Sequence, residues 1–368
     1  GGEGVGGAEG VAGVEATEGA DGVESLDGPS VARGAPPENQ SGAHLAGGQH
    51  HSGAGGSRSP LPSEQPTPTP HGETLESSAP EHPPLPPLDR TPKLYIAGRQ
   101  ARPDSGYSIA VHNPDGHTIG QVGDGNRKDI RNAVEAARAA TKGWARATGH
   151  ARAQILYYIA ENLSARSSEL AQRIVGMTGV SERDGDDEVQ AAIARLFTYG
   201  AWADKYDGAV HSVPIRGVAI AMHEPIGVLA LVAPQRWPLL GLVSQVAPAI
   251  AMGNAVVAIP SARHPLAATD LYQVLDTSDV PAGVVNIVTG ERDALARVLA
   301  DHDDVDAIWY VGSADGVRAV EYASAGNMKR TWCERDDARD WRDPSSGEGR
   351  LFLRHATQVK NVWVPYGE

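Results

Sequence analysis

Residues 224–261 read EPIGVLALVAPQRWPLLGLVSQVAPAIAMGNAVVAIPS, and this stretch decides the fold. Residues 228–233 are a continuous apolar run of strand length, as expected of a strand covered on both faces. Residues 238–252 are apolar over a helical length and stop at Gly253-Asn254, where a left-handed cap fits. Residues 256–259 repeat the strand pattern. A buried strand, a helix and a second buried strand form one crossover unit of a parallel sheet.

The alternation continues downstream. Helices are predicted at 264–275, 293–300 and 315–325, and strands at 284–288, 307–311 and 329–333. Repeated units of this length give an α/β fold, a doubly wound parallel sheet. Upstream, the alternation in KLYIAGRQ, the turn Pro103-Asp104-Ser105-Gly106 and YSIAVHNPDG predict an opening hairpin. Asn126 or Asp124 then caps a helix with Ile130, Ala133, Val134, Ala137 and Trp144 on its inner face. Further helices are predicted at 151–178 and 188–202, and a strand at 218–222. Residues 357–366, TQVKNVWVPY, alternate like a strand with no helix after it, so they pair outside the parallel series and offer an edge to another chain.

Only part of the chain has a folding composition. Residues 1–92 hold 18 of the 43 Gly and 14 of the 26 Pro, with no Phe, Tyr or Trp, too little apolar surface to offset chain entropy. They also carry 13 carboxylates against 3 Arg, so ten of the fourteen net negative charges belong to this acidic tail. Its end, PEHPPLPPLDRTPKLYI, has the semi-rigid spacing of an interdomain linker, and the chain begins GGEGVGG, as a chain with a clipped initiator also would. His44, His50 and His51 read as tail polarity rather than a metal cluster. The predicted organisation is a disordered tail or linker over 1–92, a folded domain over 93–337, and a connector with a terminal strand over 338–368.

The acidic balance lacks the clustered basic face that nucleic-acid binding needs. No signal segment and no apolar run of about 18 residues is present, so no membrane role is expected. A single cysteine, Cys333, suits a reducing compartment, and a cytoplasmic location is expected.

Several blocks together resemble the aldehyde dehydrogenase superfamily: VHNPDGHTIGQVG with the AVEAARAA helix, the opening stretch, PAGVVNIVTG at 281–290, and YVGS at 310–313. The resemblance implies an NAD site along the strand ends, at Val232, Pro234, Ser261, Gly312 and Ser313. It also implies losses. The family's turn of proline, tryptophan and oxyanion-holding asparagine is Pro234, Gln235, Arg236 here, and the ribose-contacting lysine is Ile259. NAD binding is therefore expected to be weak or lost. Glu334 takes the place of the general-base glutamate, but Arg335, Asp336 and Asp337 break the block that follows. The family then continues into a domain carrying the nucleophilic cysteine, whereas here only residues 338–355 precede the closing strand.

By contrast, by resemblance the segments that build the family's oligomerisation sheet are retained, at 207–224 and at QVKNVWVPYG. With RTW at 330–332 and DW at 340–341, the chain most resembles the non-catalytic second domain of two-domain aldehyde dehydrogenases of family 16. That resemblance implies no catalytic residue here, with Glu334 a vestigial base position, and a scaffold role beside a catalytic domain in the same polypeptide or through self-assembly. NAD-dependent oxidation of aldehydes to carboxylic acids and a dinucleotide-binding regulatory module are the alternatives.

Read without the family, the same residues are plainer. Cys333 and Glu334 are strand neighbours that point to opposite faces, so Cys333 reads as a core thiol. Glu334 reads as a sheet-end carboxylate beside Arg335, Arg236 as a surface or interface ion pair, and Gly312 as equally a turn glycine. Trp332, Trp341 and Trp363 read as packing or interface anchors.

Overall fold

The structure, a computed structural model, describes residues 92–366. The acidic tail, the linker and the three tail histidines lie outside the described residues. Strands β1 (Leu94–Ile96) and β2 (Arg99–Ala101) form the opening hairpin. Its turn is Ala97-Gly98, with φ of 57° and 70°, the mirror-image turn that matches strand twist. The Pro103–Gly106 turn instead links β2 to a separate pair, β3 (Ser108–His112) and β4 (Thr118–Gly123). The hairpin prediction was thus right in kind and wrong in its turn, because Ala97 adopts positive φ without announcing it in sequence.

Helix α1 (Arg127–Arg146) starts at Asn126, whose side chain accepts from the amides of Lys128 and Asp129 while Asp129 returns a bond to the Asn126 amide. The single stretch predicted at 151–178 is two helices, α2 (Gly149–Ala165) and α3 (Ser167–Thr178). Arg166 leaves helical geometry at φ −111°, ψ 15°, and Ser167 and Ser168, residues that favour helix starts over interiors, open the next turn. Helix α4 (Glu182–Trp202) begins earlier than predicted because Ser181 caps it at the Asp184 amide.

Strands β5 (Ala209–Ser212), β6 (Gly217–Pro225) and β7 (Val228–Val232) follow, then α5 (Leu240–Ala251), β8 (Ala255–Ile259), α6 (Leu266–Asp276), β9 (Val285–Ile287), α7 (Arg292–Asp301), β10 (Ala307–Gly312), α8 (Ala314–Ser324) and β11 (Arg330–Arg335). The chain closes through α9 (Pro344–Gly347), α10 (Arg350–His355) and β12 (Thr357–Pro365). The main sheet has the order β11-β10-β7-β8-β9-β1-β2, with the first five strands parallel and the hairpin antiparallel at the far edge. This is the expected doubly wound α/β fold.

Alternate residues of the central strands feed two cores. Leu229, Leu231, Val256, Ala258, Trp309 and Val311 face the layer of α2 to α6 and α10. Val228, Ala230, Val257, Ile259, Ile308 and Tyr310 face α1, α7 and α8. β12 is not left without a partner in its own chain. It pairs antiparallel with β6 over nine positions, from Thr357 opposite Pro225 to Pro365 opposite Gly217, and β5 lies on the other side of β6. The prediction of pairing outside the parallel series is correct, but the first partner is β6, and β12 keeps its outer edge open in the order β12-β6-β5.

Candidate functional site

In a doubly wound sheet the crevice lies outside the carboxyl ends of the strands, where the winding reverses. Here the chain runs outward from β7 through β8 and β9, then returns to lay β10 and β11 on the other side of β7, so the crevice lies between β7 and β10. The residues predicted there are brought together. Val232 ends β7, Pro234 follows in the buried turn, Ile259 ends β8, and Gly312 ends β10.

The turn after β7 is tied internally. The Gln235 side-chain oxygen accepts from the Arg263 amide at 3.1 Å and lies 3.1 Å from Ser261 Oγ. Ser261 Oγ is also 3.0 Å from the Gln235 carbonyl and accepts from the His264 amide at 3.1 Å. The Ser261 hydroxyl is thus fully engaged in joining two loops. Trp237 holds a left-handed φ of 57°, uncommon for a bulky residue, and is flanked by the Arg236 and Arg342 guanidinium carbons, 5.9 and 5.3 Å from its ring centroid. Arg236 itself is exposed and has no ion pair among the described residues, which leaves only the interface form of the ion-pair reading.

At the end of β10, Ser313 caps α8 by accepting from the Gly316 amide at 3.0 Å. A Cβ on Gly312 would lie 2.4 Å from the Tyr310 hydroxyl, and one on Gly316 only 1.8 Å from it. The lack of side chains at Gly312 and Gly316 makes room for Tyr310. Sequence reading gave Gly312 to the turn or to a cofactor, and assigned no role to Gly316 or to Tyr310.

It also missed Arg292. This first residue of α7 is 4% exposed, and its guanidinium lies in the crevice. Nε and Nη2 donate to the Ala233 carbonyl at 3.3 and 3.1 Å, Nη2 also to the Val311 carbonyl, and Nη1 to the Tyr310 hydroxyl at 3.3 Å and to Asp293 at 3.0 Å. The Tyr310 hydroxyl in turn donates to Asp293 at 2.9 Å. The available signal was an arginine directly after Gly290-Glu291, at a helix start whose cap, Glu291, already accepts from the Asp293 and Ala294 amides.

Glu334 is not beside a free Arg335. Its carboxylate accepts from Trp332 Nε1 at 3.1 Å and is held by Arg339, whose Nε donates at 2.9 Å, while Arg335 pairs with Asp337. Arg339 is nearly enclosed, its guanidinium carbon 5.3, 5.6 and 5.0 Å from the rings of Trp332, Trp341 and Phe352. The charge–π contacts and the paired carboxylate fix the connector over the sheet end. Trp332 and Trp341 are packing residues, as expected, whereas Trp363 is 57% exposed. Cys333 lies on the opposite face of β11, against the α1, α7 and α8 layer. It is half-buried, and burial first, with the Glu321 carboxylate adding to it, pushes its thiol up to about 12. No cluster of three metal-ligating side chains occurs among the described residues, and no described helix is long and apolar enough to cross a membrane.

The aldehyde dehydrogenase family matches residues 101–336. Among curated proteins, the chain is 32% identical over 254 residues to the NADP/NAD-dependent aldehyde dehydrogenase PuuC of Escherichia coli, covering 66% of this chain and 50% of that protein. It is 32% identical over 248 residues to retinaldehyde dehydrogenase 3 of Rattus norvegicus, covering 66% and 48%. Among solved structures, PnpE from Pseudomonas sp. WBC-3 superposes with a TM-score of 0.64 at 32% identity, over 66% of this chain and 50% of PnpE. The chain spans about half the length of the curated relatives it matches. The blocks that carried the resemblance, the sheet order and these matches agree, and the chain belongs to the aldehyde dehydrogenase family.

Proposed function

We propose that this chain is a non-catalytic assembly domain of the family, one that pairs with a catalytic aldehyde dehydrogenase domain or with its own copies through the β12-β6-β5 sheet. The observation that carries the reading is one face of that sheet. The pairing register sets Val362 and Val364 of β12, Val218, Ile220 and Met222 of β6, and Val210 of β5 side by side. All six are apolar and none is buried within the chain. An apolar patch bounded on the same face by Ser212 and the Lys360–Glu224 ion pair, with an open edge beside it, is the chemistry of a strand-mediated protein interface.

Loss of chemistry accompanies the retained interface. The position of the family's base carboxylate is committed to Arg339 and Trp332. The sole thiol lies across the strand from it with its proton held tightly. A nucleophile needs a base and an oxyanion donor converging on one point, whereas the carboxylate that acts on Cys333, Glu321, raises the thiol instead of forming a hydrogen bond with it. On this reading NAD binding is weak or lost and the location is cytoplasmic.

The second reading, a dinucleotide-binding regulatory module, has its own support. PnpE, which superposes with a TM-score of 0.64 at 32% identity, has been solved in complex with nicotinamide adenine dinucleotide. Incubation of the purified chain with NAD or NADP and a panel of aldehydes separates turnover from both. No NADH or NADPH above a heat-killed blank is expected. Turnover that disappears in Cys333→Ala would overturn the non-catalytic reading.

A further inference from the structure

The residues in the crevice do not suit the dinucleotide that the family implies. At the reversal between β7 and β10, a ligand would have to approach the carbonyls of Ala233 and Val311, and both already accept from Arg292. All five N–H directions of that guanidinium are used: two toward Ala233, one toward Val311, one toward Tyr310 and one toward Asp293. Its carbon lies 5.0 Å from the Tyr310 ring centroid, so the flat group is stacked as well as bonded. The charge is compensated in place by Asp293, which also receives the Tyr310 hydroxyl. Gly312 and Gly316, the small residues through which a pyrophosphate could come close to the backbone, face the Tyr310 hydroxyl instead.

We propose that Arg292 is a built-in occupant of the dinucleotide crevice and the residue that sets this chain's nucleotide affinity. It fills the space, satisfies the strand-end carbonyls and presents no free donor to a phosphate. Binding requires the side chain to leave, breaking its bonds to two buried carbonyls and uncovering them. A binding-competent state populated at about one part in ten or less lowers apparent affinity about tenfold or more. The inference rests on the reading of this chain as a degenerate member of its family, and it explains the weakened cofactor binding by an added residue rather than only by the missing lysine at Ile259.

The test uses the full chain, with NADH as the probe followed by its fluorescence. Arg292→Ala is expected to bind NADH roughly tenfold or more tightly than the wild type, and guanidinium ion at millimolar concentration, refilling the space, is expected to reverse the gain. An arginine that served as a phosphate ligand would give the opposite sign, so weaker or unchanged binding by a folded Arg292→Ala overturns the proposal. Should that variant fail to fold, Arg292→Gln, shorter and uncharged and unable to span the Ala233 and Val311 carbonyls, decides: it is expected to bind NADH more tightly than the wild type. Equal or weaker NADH binding by folded Arg292→Gln overturns the proposal. These outcomes are separate from the assembly reading, which NADH binding leaves standing and aldehyde turnover removes.

Discussion

Glu188 caps a helix to which it does not belong. It lies on α4, 2% exposed, and one carboxylate oxygen accepts from the Leu239 and Leu240 amides at 2.9 and 3.1 Å, the start of α5. The loop before α5 offers no side-chain cap of its own, so the orphan amides are satisfied across the helix packing. Burial raises the carboxyl from 4.5 to about 7, against the pull of the two amides. The folded chain therefore holds this proton more tightly than the unfolded chain. Stability from the group is full below about pH 4.5 and is lost as pH rises through about 7. The wild type should lose up to about 3 kcal/mol across that window relative to Glu188→Gln, whose amide has no proton to give up. Denaturant unfolding of both proteins from pH 5 to 8 checks this, and parallel curves would contradict it. At Cys333, with the thiol held up to about 12, alkylation of the folded chain at pH 8 should run at least about tenfold slower than that of the unfolded chain. Equal rates would mean that the thiol is not shielded.

At the scale of elements, the connector behaves as a built cap. Arg195 of α4 donates to the Trp341 carbonyl at 2.9 Å and pairs with Glu348 at 3.0 Å, and the Tyr199 hydroxyl accepts from the Gly349 amide at 3.1 Å. Arg339→Met keeps the stem among the three rings but leaves Glu334 without its cation. A loss of about 2–3 kcal/mol is expected, below the range for a fully buried pair because Glu334 retains some solvent contact. A change under about 0.5 kcal/mol in denaturant unfolding would show that the pair is incidental. The parallel strands were legible in sequence because doubly covered strands are continuous apolar runs, as in β7 and β8. The connector was not, since its order comes from Arg339 and Arg195, charged residues whose burial depends on partners distant in the chain. In the crevice, Val232, Pro234, Ser261, Gly312 and Ser313 came from the family resemblance, whereas Arg292, which enters from a helix start, has no counterpart in the motifs that carried it. The β6–β12 register, joining segments more than a hundred residues apart, leaves no local signal beyond alternation.

In the whole molecule two surfaces have different fates: a crevice filled from within, and a sheet face left for another chain. The apolar face around Met222 and Val364 is too broad for scattered surface residues, each of which is ordinary alone. Introducing charge there should disrupt assembly while leaving the parallel sheet folded, because neither side chain belongs to the two cores. Light scattering of the full chain beside Met222→Glu/Val364→Glu, with circular dichroism as the check on folding, tests the assembly role most directly. The expected result is a wild-type particle of at least twice the 38.5 kDa chain mass and a folded variant at the mass of one chain. A wild type that stays at one chain mass at high concentration and also fails to bind a catalytic aldehyde dehydrogenase domain, or a folded variant that keeps the wild-type mass, would contradict it.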